Sequence, residues 1–166
     1  MKNSKTFWQD LKSGHFASMV RETSQGQMLS NSQEVYNVMK PLFAETDDVE
    51  KVYCIFLNAK NRIISIEMMF AGTISASVIY TRELIKRIMA LKSSGIVLIH
   101  NHPSGCAEPS MEDKTITMKV AIALASIDVA LHDHIIIGDD NYHSMAESGW
   151  LNGVGRRFKD LLFEKS

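Results

Sequence analysis

The run His100-Asn101-His102-Pro103-Ser104-Gly105-Cys106-Ala107-Glu108-Pro109-Ser110-Met111-Glu112-Asp113 constrains this chain more than any other segment. It starts where a short apolar strand, Ile96-Val97-Leu98-Ile99, runs out. It ends one turn inside an expected helix that Ser110 caps, with Asp113 at the N3 position. His100 and His102 are two residues apart, so on extended backbone both rings lie on one side. Pro103 stiffens the exit and Gly105 permits a tight turn, so the loop can fold back and bring Asp113 to the two imidazoles. Two nitrogens and one oxygen suit a divalent ion, zinc best, with iron or manganese as substitutes. Three protein ligands leave a position for water, which marks a catalytic rather than a structural site. Asp113 at a helix start also gains from the helix dipole, with or without an ion.

The flanking sequence implies how such a loop is supported. Asn31, followed three residues later by Glu34, marks a helix start, and Val35, Met39, Leu42 and Phe43 share a face over about Ser32 to Ala44. Val49 to Leu57 holds a nearly continuous apolar run, as in a strand buried on both faces. Asn58 to Asn61 is a turn, and Arg62 to Phe70 a second strand, so the two form a hairpin. Ile74 to Ile79 reads as a further short strand. Thr81 then caps a helix over Arg82 to Ser93 that Gly95 stops, with Leu84, Ile85, Ile88, Met89 and Leu91 inward. After Ser110, Ile116, Val120, Ala123, Leu124 and Ile127 form one buried helical face. His134 to Gly138 is a strand, Tyr142 to Met145 a last short one, and Arg156 to Phe163 an amphipathic helix. Trp8, Leu11, Phe16, Met19 and Val20 line at most a short helical face in a polar N-terminal extension. The class is α/β, a mixed sheet flanked by helices in an α-β-α sandwich. The expected domain covers residues 30–151, with an extension over 1–29 and a basic tail over 152–166.

Bulk properties narrow the function classes. The apolar share of 45% supports a full core. A formal net charge of -1 argues against a protein that grips nucleic acid mainly through phosphates. Cys54 and Cys106 form no Cys-x-x-Cys, and the first residues lack the apolar run of a signal peptide, so reduced thiols and a cytoplasmic location are expected. No stretch reaches the length of a membrane span.

His-x-His, seven residues, Ser, two residues and Asp resembles the JAMM motif of JAB/MPN+ metalloproteases. The fuller string His100 to Gly105, Pro109-Ser110 and Asp113 resembles the RadC branch of that superfamily. So do Phe70-Ala71-Gly72-Thr73, Arg82-Glu83, Asp133 to Gly138 and Glu147-Ser148-Gly149-Trp150-Leu151. The resemblance implies a JAB/MPN fold, related to that of cytidine deaminases. It also implies a site in which His100, His102 and Asp113 hold Zn2+. An upstream glutamate shuttles a proton from the attacking water to the leaving amine. Glu50, opening the first strand, fits this role better than Glu67 inside the second. Ser110 would donate to the oxyanion, although capping alone justifies a serine there. The chain departs from the branch at two places. Residues 1–29 are too few and too polar for the helix-hairpin-helix region that often precedes the domain. Cys106 stands where an acidic residue is common; its thiol is either a redox-sensitive ligand or a tolerated small side chain.

The leading expectation is a zinc metallopeptidase or isopeptidase acting on a peptide or protein. A DNA-repair-associated accessory protein, suggested by the RadC label and by Arg156, Arg157 and Lys159, is the first alternative. A metal-holding scaffold without turnover is the second. A zinc deaminase is disfavoured because no Pro-Cys-x-x-Cys is present. Around the site, His132 and His134 are candidates to orient a ligand histidine, with Asp133 as the acceptor.

Overall fold

A computed structural model describes residues 15–43, 48–72 and 77–163. The elements run α1 (His15–Ser24), α2 (Ser32–Met39), a 3-10 turn (Lys40–Phe43), β1 (Lys51–Leu57), β2 (Ile63–Ala71), α3 (Ser77–Leu91), β3 (Gly95–Asn101), α4 (Met111–Ala125), β4 (Ala130–Ile137), β5 (Tyr142–Ser144) and α5 (Trp150–Phe163). The five strands lie in the order β2-β1-β3-β4-β5. β1 pairs antiparallel with both β2 and β3, while β3 and β4 are parallel and joined by α4 as the crossover. The sheet is therefore mixed, as the alternation of hairpin and crossover segments requires.

Strand parity divides the core into two layers. Tyr53, Ile55, Leu57, Val97, Ile99, Ile135 and Ile137 point to one face, where they meet Val35, Tyr36 and Met39 of α2. Cys54, Phe56, Ile96 and Leu98 point to the other, against Leu84 and Ile88 of α3 and Ile116, Val120 and Leu124 of α4. Each fully buried leucine or isoleucine contributes about 1.5–3 kcal/mol to holding these layers together. His100 has the parity of Ile96 and Leu98 and so faces α4. His134 shares that side of β4, opposite in parity to Ile135 and Ile137.

Several elements differ from expectation. Residues 77–79 are not a strand; they are the first turn of α3, and Thr81 lies inside that helix rather than capping it. β-branched residues lose only a few tenths of a kcal/mol in a helix, so Val78 and Ile79 are readily absorbed into one. Residues 74–76 lie outside the described residues. α3 ends at Leu91, with Lys92 in the left-handed region (φ 52°) and Ser93 N–H donating to Ile88 O. Gly95 does not stop this helix. It opens β3, where a Cβ would stand 2.4 Å from the His132 ring. Met89 is 64% exposed rather than inward. The α2 segment tightens to 3-10 geometry over Lys40–Phe43, since Pro41 has no N–H for the α-helical ladder. Asn31 caps α2 as expected, accepting from Glu34 N–H.

Trp8 and Leu11 of the expected N-terminal face lie outside the described residues. Residues 25–28 are tied to the sheet: Gly26 N–H donates to Ile63 O, and Ile63 N–H to Gln27 O. Val20 of α1 packs on the α2 layer. The tail helix is longer than its amphipathic run, beginning at Trp150, and its Val154 is buried. Among the described residues no helix is long and apolar enough to cross a membrane.

Candidate metal centre

β3 delivers His100 to its carboxyl end, and the backbone turns out of the sheet at His102, whose N–H donates to Ile137 O. The loop then docks on the β4–β5 turn through Asp139 N–H to Gly105 O. Two glycines make this approach possible. A Cβ on Gly138 would stand 2.4 Å from Gly105 O, and one on Gly105 (φ +80°) would stand 2.3 Å from the Asp139 carboxylate. The chain enters α4 through a capping box: Asp113 N–H donates to Ser110 Oγ at 3.0 Å, and Ser110 N–H to Asp113 Oδ2 at 2.7 Å. The cap holds the Asp113 carboxylate at the helix start, aimed at the rings.

Glu50, His100, His102 and Asp113 converge, with one ligand atom of each inside a sphere of separations no larger than 4.8 Å. His100 Nε2 lies 3.0 Å from His102 Nε2, 3.1 Å from Asp113 Oδ1 and 3.6 Å from Glu50 Oε1. His102 Nε2 lies 3.1 Å from Asp113 Oδ2. Donors bound tetrahedrally to zinc at about 2.0–2.1 Å stand about 3.3 Å from one another, so these spacings suit one ion.

The protonation pattern also calls for a cation. His102 Nδ1 lies 2.7 Å from Cys106 O, a pure acceptor, so that nitrogen carries a proton. In the neutral ring Nε2 then presents a lone pair, and it faces a carboxylate oxygen. Two acceptors at that distance repel unless a proton or a metal ion sits between them. The hydrogen bond to Asp113 raises the His102 pKa, opposed by burial and helped by the Cys106 carbonyl. For Asp113, burial pushes upward, but hydrogen bonds with His100 and His102 overrule it and hold the carboxyl well below the usual range. A site that draws positive charge this strongly fits a divalent ion on His100, His102 and Asp113.

Glu50 stands just before β1, and its position is set by Asn101, the residue between the two histidines. Lys51 N–H donates to Asn101 Oδ1 at 2.7 Å, and Asn101 Nδ2 donates to Val49 O at 3.3 Å. The Asn101 amide thus clamps the backbone on both sides of Glu50. Parity makes this possible: a residue between two same-side ligands points the other way. Burial raises the Glu50 pKa, with His100 and His102 pulling it down and Asp113 pushing it up. A half-buried carboxylate held above its ordinary pKa is suited to taking up and releasing a proton.

Glu67 is elsewhere. Its two oxygens accept from Arg87 at 2.7 and 2.5 Å, and Ser65 Oγ donates at 3.0 Å. The Arg87 hydrogen bond lowers its pKa, ahead of opposing burial. A carboxyl depressed on folding stabilises above its unfolded pKa, and that contribution fades as pH falls through the folded value. Glu67→Gln is therefore expected to lower the urea midpoint slightly at pH 7, since solvent screens this partly exposed pair. The gap to wild type should close below the ordinary glutamate value of 4.5. A gap unchanged at pH 3 would show that the ion pair contributes nothing.

His134, not Asp133, partners His100. His100 Nδ1 lies 2.8 Å from His134 Nε2, and His134 Nδ1 lies 2.5 Å from Thr117 Oγ1. Asp133 points to the opposite face, where it accepts from Ser144 Oγ, Ala146 N–H and His134 N–H. Burial raises its pKa, those hydrogen bonds opposing. His132 takes no place in the cluster; it packs over Gly95. Thr117 escaped the sequence reading, although a residue four after Asp113 falls on the same helix face. Cys106 offers its carbonyl to His102, and its exposed thiol is not among the converging groups. Cys54 is buried, and burial pushes its thiol pKa well up, with Glu67 adding to the rise.

An α/β sandwich carrying a His, His, Asp and Glu cluster at a strand end fits a metal-dependent hydrolase. Residues 29–150 match the family described as the RadC-like JAB domain, and the chain belongs to that family. A UPF0758 protein of Stutzerimonas stutzeri (strain A1501) is 40% identical over 137 residues, covering 82% of this chain and 59% of the relative. UPF0758 proteins of Azotobacter vinelandii and Vibrio atlanticus are 46% and 45% identical, over 59% and 61% of this chain and 44% and 46% of their own lengths. The chain thus spans at most about three-fifths of these curated relatives, none of whose names states an activity.

Proposed function

We propose that this domain is a zinc-dependent amide hydrolase, acting on a peptide or isopeptide bond of a peptide or protein. The observation that carries the reading is Glu50: a second carboxylate and fourth member of the cluster, its backbone clamped by Asn101, beside a three-residue ligand set that does not need it. His100, His102 and Asp113 would hold the ion. Bound there, zinc would supply Lewis acidity, polarising a carbonyl and making a water easier to deprotonate. Glu50 would accept the proton of the attacking water on a carboxylate oxygen and deliver it to the departing amine. Ser110 can serve twice: its Oγ accepts from Asp113 N–H, which leaves the hydroxyl hydrogen to donate to an oxyanion.

The test is hydrolysis of a panel of linear peptides and lysine-isopeptide conjugates by the full chain loaded with zinc. Activity should disappear on chelation and return when zinc is restored. Hydrolysis that survives complete chelation, or no hydrolysis of any conjugate by protein carrying stoichiometric zinc, would defeat the reading.

A further inference from the structure

Behind the ligand set lies a closed chain of hydrogen bonds that links two of its members. It runs from His100 Nδ1 to His134 Nε2 at 2.8 Å, from His134 Nδ1 to Thr117 Oγ1 at 2.5 Å, and from Thr117 Oγ1 to the Asp113 carbonyl at 2.6 Å. His100, Thr117 and His134 are all buried, so water does not compete for these groups.

The protons in this chain are fixed from one end. The Asp113 carbonyl can only accept, and two oxygens 2.6 Å apart repel without a hydrogen between them, so the single hydroxyl hydrogen of Thr117 goes there rather than to Met145 Sδ at 3.6 Å. Thr117 Oγ1 must then accept from His134, which puts the ring proton of His134 on Nδ1. His134 Nε2 is left as an acceptor, and His100 must donate to it from Nδ1. In the neutral ring of His100 the remaining nitrogen, Nε2, is thereby a lone pair, and it is the atom aimed at His102, Asp113 and Glu50.

We propose that Thr117 and His134 are positioning residues that choose which nitrogen of His100 is free to bind the ion. They tie that choice to the helix carrying the Asp113 ligand. This rests on the metal-centre reading above and deepens it. Without the Thr117 hydroxyl, His134 is free to carry its proton on Nε2 and donate to His100 Nδ1. The His100 proton then moves to Nε2, where it blocks the ligand position. Losing an outer partner of a ligand histidine costs roughly 10–100-fold in metal affinity.

Two side chains separate this role from simple packing. Thr117→Val keeps the shape and removes the hydroxyl; Thr117→Ser keeps the hydroxyl and removes a methyl. Zinc affinity of the full chain, measured by competition with a chromophoric chelator, should fall about tenfold or more in Thr117→Val and stay within a few-fold of wild type in Thr117→Ser. Wild-type affinity in Thr117→Val, or equal losses in both variants, overturns the proposal. Nitrogen-15 imidazole spectra of the wild-type protein supply a reading with no substitution. They should show His134 protonated on Nδ1, with or without zinc, and His134 protonated on Nε2 overturns it. Zinc affinity and ring protonation are the readouts here, so a protein that binds zinc and hydrolyses nothing defeats the hydrolase reading while leaving this test intact.

Discussion

His102→Ala is expected to strip the protein of zinc. Wild type should carry about one ion per chain, and the variant close to none after desalting. Three features make the effect large. His102 supplies one of only three ligand atoms in the proposed set. Its ring is held by the Cys106 carbonyl at 2.7 Å, so the ligand is preorganised and little binding energy is lost in ordering it. Its removal leaves the Asp113 and Glu50 carboxylates facing a single imidazole. The loss should therefore exceed the roughly 100-fold upper end seen on removing an outer partner. The fold should survive, because the His102 side chain is 16% exposed at the rim and fills no core layer. Thermal unfolding gives an independent reading. Zinc at about 100 times its Kd should stabilise wild type by about 2.7 kcal/mol and leave the variant unmoved. A variant that still binds zinc stoichiometrically would remove His102 from the ligand set.

Glu50→Gln should separate holding the ion from using it. Zinc content should match wild type, while any amide hydrolysis falls by about 10²- to 10⁴-fold, the usual contribution of a general base. The substitution keeps the side chain's shape. It also leaves the Asn101 clamp intact, because that clamp grips the main chain at Val49 and Lys51 rather than the carboxylate. A fall in turnover would therefore report the missing proton acceptor, not a displaced strand end. Unchanged turnover would move the role to another group. Glu67 is poorly placed to inherit it, since Arg87 and Ser65 occupy both its oxygens.

The convergence of His100, His102 and Asp113 is legible in the sequence because it is local. A strand end, a turn and a capped helix start lie within one short run, and each has its own residue signature. The layers are legible too, since β1 and β3 are apolar on both faces and the helices before and after β3 are periodic. The partner of His100 is not. Residues Asp133 to Ile137 are all buried, so burial alone gives no clue to which side chains share a face with His100. Asp133 was the obvious acceptor by chemistry and lies on the wrong side by parity. The start of α3 resembles a strand in sequence because Val78 and Ile79 are β-branched, a preference weak enough for neighbouring structure to override. Gly95 resembles a helix terminator, but its absent side chain makes room for His132, a contact 37 positions away in the chain.

The three proposed ligands sit in one uninterrupted segment, whereas Glu50 reaches them from a separate one, through the pairing of Val52 with His100 and the Asn101 clamp on Val49 and Lys51. On the proposed reading, keeping the ion and using it are therefore encoded in different parts of the chain and can be lost separately. On that reading, an uncharged residue in place of Glu50 would leave a loop still able to bind zinc, and a carboxylate put back there should return the lost turnover.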